Sequence, residues 1–293
     1  MLLACCRTQV RALTAAGLPT IHRRHHVKHL LVIASVLVML ASPSPALADT
    51  GEDQKAVLIT GATTGIGRAA AERLAAAGVF VYAGARKDVD IEELNRIENI
   101  RAVRLDVTKQ DQVDAAVAMI KEKGTGLYAL VNNAGVYEFH PVATTAFEEW
   151  QQSWKKTIFT NLLGPAHLSF HVVRHMMKSG GGKIINITSR GAFRGEPNAP
   201  AYGASKAGLN AFSQSMVQVL AAHNFFVYAV APEFVETYIA ASVLSGSEGD
   251  AIRAQSPLNR VARPEEVAGV LLFLAGYSVQ IISKCSSITR PTS

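Results

Sequence analysis

Three side chains invite a chemical reading: Ser189, then twelve residues, then Tyr202-Gly203-Ala204-Ser205-Lys206. Tyr202 and Lys206 stand at i and i+4, so on a helix they share one face. A phenol with its usual pKa of about 10 is a poor acid or base at neutral pH. An adjacent ammonium favours the phenolate and lowers that value, each unit corresponding to about 1.4 kcal/mol. Ser189 closes the apolar run KIINITS (183–189), and its hydroxyl can hydrogen-bond a substrate oxygen and turn it toward Tyr202. The set suits proton transfer at a carbonyl or alcohol oxygen. A Tyr-x-x-x-Lys pair alone arises by chance on exposed helices; its weight comes from Ser189 and from the elements around it.

Those elements alternate. Short apolar runs AVLIT (56–60), VFVYAG (79–84), RAVRLDV (101–107), LYALVNN (127–133), GKIINITS (182–189) and FFVYAVAP (225–232) are separated by helical patterns, the longest near 147–178 and 203–222. Continuous Val/Ile/Leu-rich strands between helices predict a parallel sheet covered on both faces. The expected fold is a doubly wound α/β Rossmann fold in three α/β/α layers, with the ligand beyond the carboxyl ends of the strands.

The first run passes directly into Thr60-Gly61-Ala62-Thr63-Thr64-Gly65-Ile66-Gly67 and a helical pattern. Gly61 can supply a tight turn, Gly65 lets backbone approach a pyrophosphate, and Gly67 allows close helix–strand packing. The helix start offers unpaired N–H groups and a positive dipole end to phosphates. The spacing is Gly-x-x-x-Gly-x-Gly; by itself it could be a plain strand-to-helix connection, but its place after the first strand points to a dinucleotide. About 20 residues on, an acidic residue normally holds the ribose of NAD. Ala85 occupies that place, followed by Arg86 and Lys87, which could pair with a 2′-phosphate. NADP(H) is therefore favoured, with NAD(H) the alternative. Asp106 could accept the adenine amino group or cap the next turn.

Composition sets the bounds. The chain has 293 residues, 49% of them hydrophobic and 18% charged, enough for a large core and unlike a disordered chain. The net charge of +6 suggests an anionic macromolecule, yet residues 1–48 hold five basic and no acidic residues. Of 29 Lys and Arg, 24 then remain beside 23 acidic residues, so the body is nearly neutral and no nucleic-acid partner is expected. Only Cys285 of the three cysteines lies beyond the start, so neither a disulfide framework nor a metal site is expected.

Residues 1–48 read as a targeting leader: basic and His residues, the apolar run Leu30 to Ala41, then SPSPALA with small Ala46 and Ala48 before Asp49. The run is short for a bilayer span, which needs about 20 residues. The expectation is a cleaved signal or transit segment directing the protein to the secretory pathway, a plastid or a mitochondrion. An uncleaved membrane anchor and a misassigned start are the other readings. Residues 55–293 are read as one domain.

These motifs together resemble the short-chain dehydrogenase/reductase family over about residues 55–275: TGATTGIG (60–67), LDVT (105–108), NNAG (132–135), Asn161 in TNLLG, Ser189 in NITS, and YGASK (202–206). The resemblance implies a catalytic tetrad of Asn161, Ser189, Tyr202 and Lys206. In it Tyr202 is the general acid/base, Lys206 tunes it and binds the nicotinamide ribose, Ser189 positions the carbonyl, and Asn161 holds a water in a proton relay. It implies a cofactor site of Thr60, Gly61, Thr64, Gly65, Ile66, Gly67, Arg86, Asp106, Val107, Asn132, Gly135, Pro232 and Thr237, shared with Tyr202 and Lys206. Hydride would pass between nicotinamide and the carbonyl or secondary alcohol carbon of a small molecule. A homodimer through the long helices is implied, with tetramers in doubt. The alternative is a silent nucleotide-binding sensor or scaffold that keeps the fold without turnover.

Two departures stand out. Pro232-Glu233 replaces the family's Pro-Gly, so Glu233 either brings a carboxylate to the substrate or points to solvent, the favoured reading. After residue 276 the Gly-rich final strand is missing; SVQIIS could still form a seventh strand. Residues 233–257 fall where the family has its substrate lid and, with His140 and Pro141, suggest a pocket of mixed polarity.

Overall fold

A computed structural model describes residues 56–123, 126–245 and 248–276. The expected leader and SVQIIS lie outside the described residues. Six strands follow the apolar runs closely: β1 Ala56–Ile59, β2 Phe80–Ala85, β3 Ile100–Arg104, β4 Leu127–Asn132, β5 Gly182–Ile187 and β6 Phe225–Val230. All pair in parallel, in the order β3-β2-β1-β4-β5-β6. The order reverses between β1 and β4, and a crevice opens there beyond the carboxyl ends of the strands.

Alternation along each strand sends neighbouring side chains to opposite faces. Val57, Ile59, Val81, Ala83, Val131 and Ile185 enter one core with Ala70, Ala71 and Leu74 of α1 (Gly65–Ala76) and Leu271 of α10 (Pro264–Ala275). Leu58, Tyr82, Leu130 and Ile184 enter the other, with Val113, Val117 and Ile120 of α3 (Gln110–Lys123) and Leu168, Val172 and Met176 of α5 (Gly164–Met176). Both faces are buried, so the strands read as unbroken apolar runs; each such aliphatic side chain contributes roughly 1.5–3 kcal/mol of transfer free energy. The fold is the expected three-layer α/β/α Rossmann arrangement.

Three details differ from the sequence reading. The stretch near 147–178 divides into α4 (Phe147–Ile158), a π-helical turn Phe159–Leu163 and α5, followed by a 3-10 turn at Met177–Ser179. Helix α7 (Pro200–Leu220) starts before residue 203, because Pro200 suits a helix's first turn. Strand β3 stops at Arg104, so Asp106 lies in the turn beyond it. The remaining helices are α2 (Asp88–Leu94), the short α6 (Gly191–Arg194), α8 (Tyr238–Leu244) and α9 (Glu248–Ala254). Lys183, buried on β5, donates to the carbonyls of Leu274 and Gly276 at the end of α10, where the helix dipole favours a cation. Among the described residues no helix is long and apolar enough to cross a membrane.

Candidate active site

The loops after β1 and β4 are stitched together where the sheet order reverses. Thr60 Oγ1 accepts the N–H groups of Asn133 (3.0 Å) and Ala134 (2.9 Å). Asn133 Nδ2 donates to the carbonyls of Thr60 and Gly61, both at 3.0 Å. This presses the glycine turn against the β4 loop. Gly61 has φ +63°, and a Cβ there would lie 2.9 Å from Ala134 Cα. A Cβ at Gly67 would come within 2.2 Å of the Gly61 carbonyl oxygen.

Helix α1 therefore begins at the edge of a cavity of about 830 Å³. Thr63, Thr64, Gly65 and Ile66 line it; Thr64 makes no side-chain cap, and the first turn holds no acidic residue. An uncapped helix start of this kind supplies N–H donors to a pyrophosphate. Gly84, Ala85, Arg86, Leu105, Asp106 and Val107 form the wall beyond the β2 and β3 ends. Arg86 is exposed at the mouth, its carbonyl held by Arg104 Nη1 at 2.7 Å. Lys87 lies outside the cavity wall. Asp106 Oδ1 accepts from Thr108 N (2.9 Å) and Oγ1 (2.7 Å), so it caps its own turn while still lining the cavity. Pro232, Glu233 and Thr237 line the side below β6. The uncapped helix start and the basic mouth at Arg86 suit the phosphates of a dinucleotide.

At the far end, Tyr202 and Lys206 reach the cavity from the first two turns of α7, and Ser189 from the end of β5. The Ser189 hydroxyl stands beside that of Tyr202 and favours its phenolate, while accepting the Gly191 N–H at 3.1 Å. Lys206 is 3% exposed; its Nζ donates to the Ile187 carbonyl (2.8 Å) and lies 5.7 Å from the Tyr202 ring centroid. Burial holds its pKa down at about 8. Tyr202 itself is pushed up, first by burial and further by the Glu196 carboxylate, against the favourable Ser189 hydroxyl. The sequence expectation was a phenol lowered by its lysine. In the chain alone burial carries Tyr202 the other way, and Nζ is engaged by the Ile187 carbonyl.

Asn161 sits in the π-helical turn, fully buried, and works on backbone. Its Oδ1 accepts the Val136 N–H (2.8 Å), while Nδ2 donates to the Val136 carbonyl (2.9 Å) and Ser205 Oγ (3.2 Å). Ser205 Oγ donates in turn to the Tyr202 carbonyl at 2.7 Å. A widened π turn often marks a functional position. Gly135 fills the gap between them: a Cβ there would be 3.5 Å from Asn161 Oδ1 and 3.6 Å from Lys206 Nζ.

Not every expected cofactor residue touches the cavity. Asn132 is buried, its Nδ2 donating to Ser169 Oγ (3.1 Å) and Asn186 Oδ1 (2.8 Å), and Asn186 Nδ2 donates to Ser213 Oγ of α7 (2.8 Å). It ties β4 to β5 and α7 from within the core. Thr60 and Gly67 act on the turn from behind. His140, read as part of a mixed pocket, is fully buried and outside the wall. Glu233 is exposed, and its residue also lines the cavity. Sequence reading missed Asn133, which does the stitching, and the wall residues Arg190 and Glu196. The NNAG motif contained the first signal; nothing local marks the other two. Arg190 stacks on Phe234 (4.6 Å) and donates to Gln255 Oε1 (2.9 Å), joining the Ser189 loop to the segment carrying α8 and α9. That segment has its own small core of Ala240, Leu244 and Ile252 beneath Phe234 and Val261.

The short chain dehydrogenase family model matches residues 55–248. The chain belongs to the short-chain dehydrogenase family. It is 36% identical over 226 residues to a 3-oxoacyl-acyl-carrier-protein reductase of Aquifex aeolicus, covering 75% of this chain and 89% of that one. It is 34% identical to a cis-4-hydroxycyclohexanecarboxylate dehydrogenase of Sinomonas cyclohexanicum, covering 78% and 92%. Among solved structures, an actinorhodin polyketide ketoreductase with NADPH superposes with TM-score 0.70 at 33% identity, covering 77% and 91%. A gluconate 5-dehydrogenase from Burkholderia cenocepacia with NADP and tartrate superposes with TM-score 0.71 at 27% identity, covering 76% and 88%. This short-chain dehydrogenase is thus an NAD(P)-dependent oxidoreductase acting on CH–OH and C=O groups.

Proposed function

We propose that the protein is an NADP(H)-dependent carbonyl reductase or alcohol dehydrogenase in which Tyr202 is the general acid/base. The observation that carries this is the convergence of Ser189, Tyr202 and Lys206 on one end of a cavity whose other end is an uncapped helix start. When bound, the cofactor supplies or accepts the hydride. Ser189 and Tyr202, side by side on the cavity wall, would share the substrate oxygen, and Tyr202 would give it its proton in reduction. A phenol pushed upward stays protonated at neutral pH, as reduction requires. Lys206 keeps a buried positive charge beside the ring, and Asn161 fixes the Val136 loop and, through Ser205, the Tyr202 backbone. The exposed Phe147, Phe170 and Val219 on α4, α5 and α7 fit the homodimer that the family resemblance implies.

The test is NADPH consumption by the full chain against a panel of ketones, followed by absorbance. Turnover is expected; NADPH binding without turnover on any of them would favour a silent binding protein.

Cofactor preference supplies the next prediction. Relatives of both kinds exist: the two structures above were solved with NADPH or NADP, while a glycerol dehydrogenase of Listeria innocua, 30% identical, is named NAD-dependent. Support for NADP(H) here comes from Arg86 at the mouth and the absence of a carboxylate at Ala85. Arg86→Asp is expected to lower the NADPH-to-NADH ratio of kcat/KM about tenfold or more, since about 1.4 kcal/mol suffices for that ratio. An unchanged ratio would remove Arg86 from recognition.

The pH profile follows from Lys206. Reduction needs Tyr202 protonated and Lys206 charged, and both conditions hold below about 8. kcat/KM for reduction should therefore be level at neutral pH and decline as pH rises through about 8. The stability effect has the opposite sense. An unfolded lysine, at about 10.4, holds its proton more tightly than folded Lys206, so stability rises with pH between the two values. Reductase rates across pH, with thermal unfolding at the same pH values, check both trends.

A further inference from the structure

We propose that His140 is a positioning residue for Tyr202, acting through the first turn of α7; the proposal rests on Tyr202 being the general acid/base. His140 is fully buried in the loop after β4. Its Nδ1 lies 2.7 Å from the Glu138 carbonyl oxygen, which can only accept, so Nδ1 carries the proton. Nε2 is then bare and accepts the Ala201 N–H at 3.3 Å. Ala201 immediately precedes Tyr202, and its N–H is among those at a helix start with no partner inside the helix. The residue before the helix is Ala199, which has no side-chain acceptor to offer. An imidazole from a distant loop therefore performs the cap.

The same loop is fixed at several further points. Asn161 clasps both backbone atoms of Val136. Tyr137 sets its ring edge against that of Tyr202, with centroids 5.0 Å apart at 60°. The His140 N–H donates to the Asn198 carbonyl at 2.8 Å, and its ring meets Trp150 at 5.2 Å. The loop thus straps Asn161, the Tyr202 ring and the start of α7 into one unit, and His140 is its far anchor.

The need for an anchor is physical. Tyr202 projects from the first turn, the part of a helix that frays most readily. Displacing a reacting group by about 1 Å can cost about 10²-fold in rate. His140 lies outside the cavity wall, so its loss should be read in kcat and not in NADPH affinity. A packing role would need only volume; a capping role needs an acceptor where Nε2 now stands.

Those two needs separate in a pair of variants. His140→Leu keeps bulk without an acceptor, whereas His140→Gln places its amide oxygen near the Nε2 position. The expected result is a fall in kcat of about tenfold or more for Leu, recovery to within about threefold of the wild type for Gln, and NADPH dissociation constants changed by less than about twofold in both. Leu matching the wild type, or Leu and Gln equally slow, would overturn the proposal while leaving the Tyr202 reading intact. A wild-type chain that turns over no substrate would overturn that reading and the proposal with it. Should the Leu variant fail to fold, ¹⁵N-histidine NMR of the wild type decides the cap, with His140 assigned by its absence in the Gln variant. A neutral Nδ1–H ring with an accepting Nε2 supports the cap; a protonated Nε2 overturns it.

Discussion

Tyr202→Phe is expected to lower kcat about 10³-fold, a loss of about 4 kcal/mol in transition-state stabilisation, with NADPH binding nearly unchanged. The substitution removes one oxygen. The ring keeps its place against Tyr137 and its position one turn from Lys206. What disappears is the hydroxyl beside Ser189, the group proposed to carry and release a proton next to the substrate oxygen. Burial pushes Tyr202 up, so at neutral pH the wild type holds the proton that reduction consumes. The check is steady-state reduction with the best ketone of the panel, alongside NADPH titration by fluorescence. A variant that keeps its rate would sink the assignment of Tyr202, since nothing about its packing would have changed.

Gly67→Ala is the second large effect, and here the loss is in stability as well as binding. A Cβ at Gly67 would stand 2.2 Å from the Gly61 carbonyl oxygen and 2.5 Å from Asn133 Nδ2. The first neighbour is backbone and cannot rotate away. Asn133 is committed to the Thr60 and Gly61 carbonyls, so moving it releases the stitch between the β1 and β4 loops. Helix α1 must shift along its axis, taking its uncapped start away from the cavity. Overpacking of this kind costs about 3 kcal/mol. Urea denaturation should show a lower midpoint at an unchanged slope, together with at least about tenfold weaker NADPH binding. Unaltered midpoint and affinity would mean that the turn tolerates a methyl group, and the close-packing account would fall.

Much of this was legible in the residues. The six strands announced themselves as apolar runs because both faces of a parallel sheet are buried, and their limits in the fold fall close to those runs. Glycines at 61, 65 and 67 marked the turn because a side chain at 61 or 67 would meet backbone and Gly65 has φ +55°. The i, i+4 spacing of Tyr202 and Lys206 survived because a helix fixes it. Other roles were out of reach. Asn132 and Asn133 are adjacent and identical in type, yet strand alternation sends one into the core toward Asn186 and the other to the glycine turn. His140 looked like a loop histidine at a pocket edge, and only the fold brings it to Ala201, 61 residues away.

Sequence alone thus determined the family, the order of layers and the residues equipped for proton transfer, because each is written in local spacing and in the types of side chain. Tertiary structure decided the electrostatics. Whether Lys206 lowers Tyr202 depends on where Nζ points, and it points at the Ile187 carbonyl. Whether Glu196 matters depends on its lying near a phenol six residues along the chain in a half-buried wall. Charge interactions depend on distance and on the water excluded between groups, and neither quantity exists until the chain has folded.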